Sequence, residues 1–186
     1  MTLPTEPEAP ATPAAPAALI VRPLAPSDED AWRRYVDEHA DATLFHTLEW
    51  GTIIERTFAH EHHYLVAWRG ESVCGVLPMT KVSSVFFGTT LISSPFGVYG
   101  GILADDVEVA SALADAARSL GENQKAKYVE MRHLQAPGLE LPKNDLYCTF
   151  IEDVPEDAEG CLARLPRKAR AEVRKTLKNE GLALEQ

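Results

Sequence analysis

The sequence has no apolar run approaching the roughly 18 residues that a membrane-spanning helix needs. Its N-terminus lacks the basic and apolar segments of a secretory signal. Cysteine is scarce: Cys74, Cys148 and Cys161 are odd in number and form no metal-type pair, which suits a reducing cytoplasm. No Ser-His-Asp or Cys-His arrangement is identifiable from spacing. His60-Glu-His-His63 is one residue short of H-E-x-x-H and abuts a strand pattern, so it reads as a solvated histidine cluster, and no metal is expected. Positive charge is also short. Eighteen Lys and Arg stand against 28 Asp and Glu, and the net charge of −10 argues against general nucleic-acid coating.

What is present is an ordinary globular composition, 45% hydrophobic and 25% charged over 186 residues, the size of one domain. Residues 1–18 are Pro, Ala, Thr and Glu, with too few apolar side chains to offset their ordering entropy; a disordered tail is expected. Leu19–Leu24 reads as a strand. Ser27, with Asp30 at the third position, is expected to cap a helix through Trp32 and Tyr35 to about His39. A second helical pattern spans Leu44–Phe58, with Leu48, Ile53, Ile54 and Phe58 as core contacts. The period then shortens: His63–Arg69 and Ser72–Val82 are strands joined by a Gly70-Glu71 hairpin turn.

A further strand is expected near Thr89–Ser93, followed by the aperiodic Ser94-Pro-Phe-Gly-Val-Tyr-Gly-Gly101. Val107 to about Gln124 is a helix with Ala110, Leu113, Ala117 and Leu120 inward. Tyr128–Arg132 reads as a buried strand and Tyr147–Ile151 as another, with a loop between them from Gln135 to Lys143. Glu130 and Arg132 share one strand face, either as an ion pair beside a cleft or as a brace for the sheet. Gly100-Gly101 reads as a turn needing positive φ, with close approach to a ligand as the alternative. Trp32, Trp50 and Trp68 read as core or cleft-wall aromatics.

Leu162–Lys178 reads as one amphipathic helix, with Leu162, Leu165, Ala169, Val173 and Leu177 on the apolar side. Arg164–Lys178 holds seven basic residues and one acid, Glu172. This is a window of +6 on a chain of −10, so the rest carries −16. Arg167, Arg170 and Arg174 fall on one line, where guanidinium forks could span a diphosphate or a nucleic-acid backbone. A solvated charged face is the other reading of the same residues, and a basic helix resting on anionic lipid is a third.

The order strand, two helices, antiparallel hairpin is similar to the start of the GNAT acyltransferase fold, an α+β domain on a mixed twisted sheet. Within it, several runs resemble the FemAB group of amino-acid ligases. They are Phe45-His-Thr-Leu-Glu-Trp50, Gly75-Val-Leu-Pro78, Ser94–Gly101, and Leu165-Pro-Arg-Lys-Ala-Arg-Ala-Glu-Val-Arg-Lys175 with Gly181. The Pro-Phe-Gly-Val-Tyr-Gly-Gly form looks closest to FemAB-like proteins encoded with bacterial exosortase and exopolysaccharide systems. The resemblance implies a GNAT-like N-terminal lobe over residues 19–181, with 182–186 opening a second lobe that the chain does not supply. Little activity is then expected of this chain alone.

It implies acyl or aminoacyl transfer to an amine of a phosphate-bearing cell-envelope precursor, in peptidoglycan or exopolysaccharide assembly. No bound cofactor is expected; the donor would be an aminoacyl-tRNA or an acyl-CoA. The R/Q-x-x-G-x-G/A loop that cradles the pyrophosphate in simple GNAT enzymes is missing, which speaks against acetyl-CoA. Candidate substrate-binding residues are Arg167, Lys168, Arg170, Arg174 and Lys175 on the basic helix, with Trp50, Tyr99, Gly100, Gly101 and Arg132 elsewhere. No catalytic residue is assigned. Direct aminolysis needs placement and charge stabilisation and no covalent nucleophile. The alternative is a non-catalytic lobe that packs against a partner.

Overall fold

The structure is a computed structural model that describes residues 17–178 except 85, 145 and 147. Residues 1–16 of the expected 1–18 tail and the expected strand from Leu182 lie outside the described residues. The chain divides into two compact units, Met1–Leu141 and Pro142–Gln186.

The first unit is built on β3, Ser72–Ser84, which carries Val73, Val76 and Val82 and is buried from Cys74 to Thr80. On one side it pairs antiparallel with β2, Glu61–Arg69, which pairs antiparallel with β1, Leu19–Pro23. On the other side β4, Gly88–Ile92, covers the second half of β3, and the short β5, Leu103–Ala104, covers Gly75 and Val76. β4 also pairs in parallel with β6, Val129–Glu130, giving the order β1-β2-β3-β4-β6. Pro78 is tolerated in this central strand for a geometric reason. It pairs with Tyr64, whose carbonyl accepts from Leu24 N–H at 2.9 Å and so points away from β3. The missing N–H of Pro78 therefore faces the gap between β5 and β4.

Alternation along the strands sends side chains to two cores. Leu65, Ala67, Cys74, Leu77, Met79 and Leu91 meet Val109, Leu113 and Ala117 of α3, Val107–Asn123. Val66, Val76 and Leu103 meet Trp32 and Val36 of α1, Glu29–Glu38, and Leu48 of α2, Leu48–Phe58. Helix α3 reaches the sheet through Gly75: a Cβ there would lie 2.5 Å from Val109 Cγ1 and 2.9 Å from Leu113 Cδ1.

Several local expectations change. Ser27 is not the cap of α1; a 3-10 turn, Pro26–Asp28, precedes the helix, and Asp28 accepts from Ala25 N–H and pairs with Arg22. In α2, Leu48 and Ile54 are buried, but Ile53 and Phe58 are exposed. The strand expected over Tyr128–Arg132 shrinks to Val129–Glu130, half-buried, with Tyr128 exposed. Residues 148–151 carry no strand, Tyr147 being outside the described residues.

In the second unit the single basic helix becomes two, α4, Ala158–Arg164, and α5, Arg167–Leu177. Pro166 is the cause: its ring disfavours helical backbone at the preceding residue, and Leu165 is extended at ψ 142°. Leu162 and Leu165 therefore leave the stripe of Ala169, Val173 and Leu177, and no residue of either helix is buried. Arg170 Nη2 donates to Ala163 O at 2.8 Å and Leu165 O at 2.9 Å, closing the last turn of α4. Arg164 pairs with Glu152 at 2.7 Å. Two of the seven cations are thus committed to local structure.

Candidate functional site

β4 and β6 run the same way, so their C-terminal ends open on the same side of the sheet, the usual place for a ligand crevice in parallel strands. A cavity of about 370 Å³ lies there. Its wall is made from the loop after β4 (Tyr99, Gly101, Ile102), the chain leaving β6 (Arg132, His133, Leu134), the connection from α1 (His39 to Thr43) with His46, and β5 with the N-terminus of α3 (Asp106, Val107, Ala110).

Arg132 ties two of these segments together. Its N–H donates to Ser93 Oγ at 2.8 Å and its Nη1 donates to Gly97 O at 2.8 Å, while Nε pairs with Glu130 at 2.7 Å. The Glu130–Arg132 pair is therefore both an ion pair and a brace, since it fixes a loop whose backbone is under strain. Ser94 and Phe96 sit at φ +58° and +62°, in the left-handed region that L residues avoid. Gly100 and Gly101, expected there, do not take positive φ. They are glycine because neighbours press on them. A Cβ on Gly101 would lie 2.4–2.7 Å from the His133 ring, and one on Gly100 would lie 2.3 Å from Ser94 Cβ.

Two histidines, not singled out from the sequence, hold the cavity wall. Thr43 N–H donates to His46 Nδ1 at 3.0 Å, so Nε2 carries the proton and donates to Gly101 O at 3.1 Å. Burial pushes the His46 pKa down to about 4, so the ring is neutral at ordinary pH. The carbonyl of His46 accepts from Trp32 Nε1 at 2.9 Å, linking the wall to a fully buried core indole. His133 Nε2 accepts from Ile102 N–H at 2.8 Å, and burial lowers its pKa too. With both ring nitrogens of His46 and Nε2 of His133 committed to these bonds, both act as latches on the loop after β4. His46 sits inside the quoted Phe45–Trp50 segment, next to a Thr that could cap it. His133 gave no local signal.

Of the expected binding residues, Tyr99, Gly101 and Arg132 share this wall. Gly100 packs behind it on Ser94 and Phe45. Trp50 is not on it; its ring meets Phe45 edge-on at 5.0 Å, and its Nε1 is buried without a partner among the described residues. Arg167, Lys168, Arg174 and Lys175 stand exposed on α5 in the second unit, and Arg170 is half-buried there. His60-Glu-His-His63 is less solvated than expected. His62 Nδ1 meets Thr80 Oγ1 at 2.9 Å, and burial lowers its pKa. No group of three metal-ligating side chains occurs among the described residues.

The N-terminus of α3 shows how an anion would fare. Asp106 Oδ1 accepts from Val109 N–H at 2.9 Å, Glu108 lies in the first turn, and Arg69 pairs with both acids at 2.8 Å. The helix dipole is already met by protein carboxylates, and a diphosphate at this position would face a cluster that stays net negative, two carboxylates against one guanidinium.

No protein family matches the chain, and no curated protein does. Solved structures do match. The ribosomal-protein-alanine N-acetyltransferase of Brucella melitensis aligns at a TM-score of 0.50 and 10% identity, over 73% of this chain and 99% of that one. A GNAT family acetyltransferase of Staphylococcus aureus aligns at 0.44 and 12% identity, over 73% and 98%. With the mixed sheet and its flanking helices, the first of these likenesses defines the class: the fold is α+β and GNAT-like. Among the described residues no helix is long and apolar enough to cross a membrane.

Proposed function

We propose that the chain is an acyltransferase lobe of the FemAB kind, moving an aminoacyl or acyl group onto an amine of a bacterial cell-envelope precursor. The observation that carries this reading is the cavity at the shared C-terminal ends of β4 and β6 in a GNAT-like fold. The wall is preset by Arg132, His46 and His133, so a bound acyl ester would meet a rigid surface, which is what direct aminolysis requires. The amine nitrogen attacks the ester carbonyl carbon, an amide forms and the C–O bond breaks. The amine's proton passes to the departing alcohol oxygen. The acid-capped N-terminus of α3 speaks for an ester donor such as aminoacyl-tRNA over acetyl-CoA. Arg167, Lys168, Arg174 and Lys175 would take the phosphates of donor or acceptor, with Arg170 holding their helix in place.

The test is a titration of the full chain with uncharged tRNA, a nucleotide-sugar diphosphate and acetyl-CoA. The tRNA or the nucleotide-sugar should bind, with tRNA the more salt-sensitive because more counterions are released. Arg167→Ala with Arg174→Ala should weaken that binding by about a hundredfold, at about 1.4 kcal/mol per decade. Robust free-thiol release from acetyl-CoA, or binding unchanged in the double variant, would refute the reading. A second reading, a lobe that docks on a partner, is favoured by the apolar stripe of α5, where Val173 is 37% and Leu177 73% exposed.

A further inference from the structure

The β3–β4 hairpin ends in two aromatic side chains that acyl transfer does not use. Phe86 is 89% exposed and Phe87 78%. Ser84 Oγ accepts from Phe86 N–H at 3.3 Å and Phe87 N–H at 3.4 Å. Gly88 closes the turn at φ +80° opposite Ser84. The absence of a side chain at 88 has a further effect. A Cβ there would lie 2.8 Å from Lys127 Cε and 3.2 Å from Nζ, so the Lys127 stem rests on the base of the hairpin. Lys127 N–H donates to Thr89 O at 2.8 Å, which fixes that segment beside the turn. Lys125 and Tyr128 are exposed on the same segment, and Glu122, one turn earlier, accepts from Lys125 N–H through its carbonyl at 3.0 Å.

Two phenylalanines held in water at this turn, with the Lys127 stem at its base and Lys125 and Tyr128 exposed on the segment that carries that lysine, match the layering of a bilayer surface. Apolar rings suit the acyl boundary, tyrosine the headgroup level, and lysines the lipid phosphates. We propose that this hairpin tip docks the protein on an anionic lipid bilayer, with Phe86 and Phe87 inserted and Lys125 and Lys127 on headgroup phosphates. A protein partner fits less well. A specific protein interface needs about 800 Å² per side, whereas two rings on a narrow turn offer a small knob. The chain's net charge of −10 would keep it off an anionic surface, so local cations at the contact are what the docking needs. The inference does not depend on the acyl-transfer reading, since it is tested without substrate.

The experiment is flotation of the full chain with phosphatidylcholine vesicles, with and without phosphatidylglycerol. The wild type should float with the anionic vesicles and much less with phosphatidylcholine alone. Phe86→Ser with Phe87→Ser should lower partitioning by about tenfold or more. Lys125→Glu with Lys127→Glu should abolish the preference for phosphatidylglycerol. Should the serine variant fold poorly by circular dichroism, Phe86→Trp serves in its place, and its added emission should shift to the blue on vesicle addition. The proposal is overturned if the wild type floats with neither vesicle, or if the serine variant floats like the wild type, which would assign binding to α5. It is also overturned if the tip variants abolish self-association and leave lipid binding unchanged.

Discussion

Replacing Gly101 with alanine tests whether the cavity wall is as tightly built as its contacts imply. The new methyl would arrive 2.4 Å from His133 Cδ2 and 2.5 Å from Nε2, well inside contact distance. The ring cannot swing aside freely, because Nε2 holds Ile102 N–H at 2.8 Å. Residue 101 cannot retreat freely either, because its carbonyl holds His46 Nε2 at 3.1 Å. Relief by moving His133 strands a buried N–H, and relief by moving the backbone strands a buried imidazole N–H. Each outcome costs about 1–3 kcal/mol, and overpacking without either movement costs a similar amount. The expected loss is about 2 kcal/mol, measured by urea unfolding of the full chain followed by tryptophan fluorescence. In a His133→Ala background the clash is absent, so Gly101→Ala should cost less, with a coupling of about 1 kcal/mol or more. A cost below about 0.5 kcal/mol, or strict additivity of the two changes, would refute the latch.

Acid should weaken the same wall. His46 has a folded pKa of about 4 against about 6.5 unfolded. Between those values only the unfolded chain takes up the proton, so stability is full above pH 6.5 and falls as pH drops toward 4. The slope is at most about 1.4 kcal/mol per pH unit; His62 and His133 add slopes of the same sign, so His46→Gln should shallow the curve without flattening it. A pH profile identical in the variant would contradict the assignment. Trp32→Phe removes the donor to His46 O and leaves a buried carbonyl unpaired, for about 1–3 kcal/mol. An unfolding midpoint unchanged by that substitution would show the bond to be dispensable.

The architecture was readable where patterns are long. The Gly70 turn between the two apolar runs of β2 and β3 is visible as a break, and the apolar face of α3 as periodicity. Short elements are harder: β5 and β6 have two residues each, a single alternation, so β5 leaves no pattern and the expected strand around β6 is too long; both exist because longer strands offer them an edge. The basic helix misled because its seven cations and its stripe share one period on either side of Pro166, and the proline's effect on Leu165 outweighs that regularity. Among the residues that line the cavity, Tyr99, Gly101 and Arg132 carry a sequence signal, in a motif or on a strand face. His46 and His133 act across 55 and 31 positions of chain, on Gly101 and Ile102, and no spacing rule reaches so far. Gly100 and Gly101 do not supply the positive φ that their type suggests. Their smallness matters because of a ring supplied from elsewhere, while the left-handed backbone fell to Ser94 and Phe96.

Cys74 gives the fold an internal clock. It lies on β3 at 3% exposure, and burial raises its thiol pKa, whereas Cys148 is exposed and Cys161 intermediate. With Cys148 and Cys161 changed to serine, a thiol reagent can react only when the central strand opens. At low reagent the labelling rate counts how often the sheet is open; at saturating reagent it counts how fast it opens. Each substitution around the cavity can then be sorted by whether it loosens the wall alone or the whole sheet.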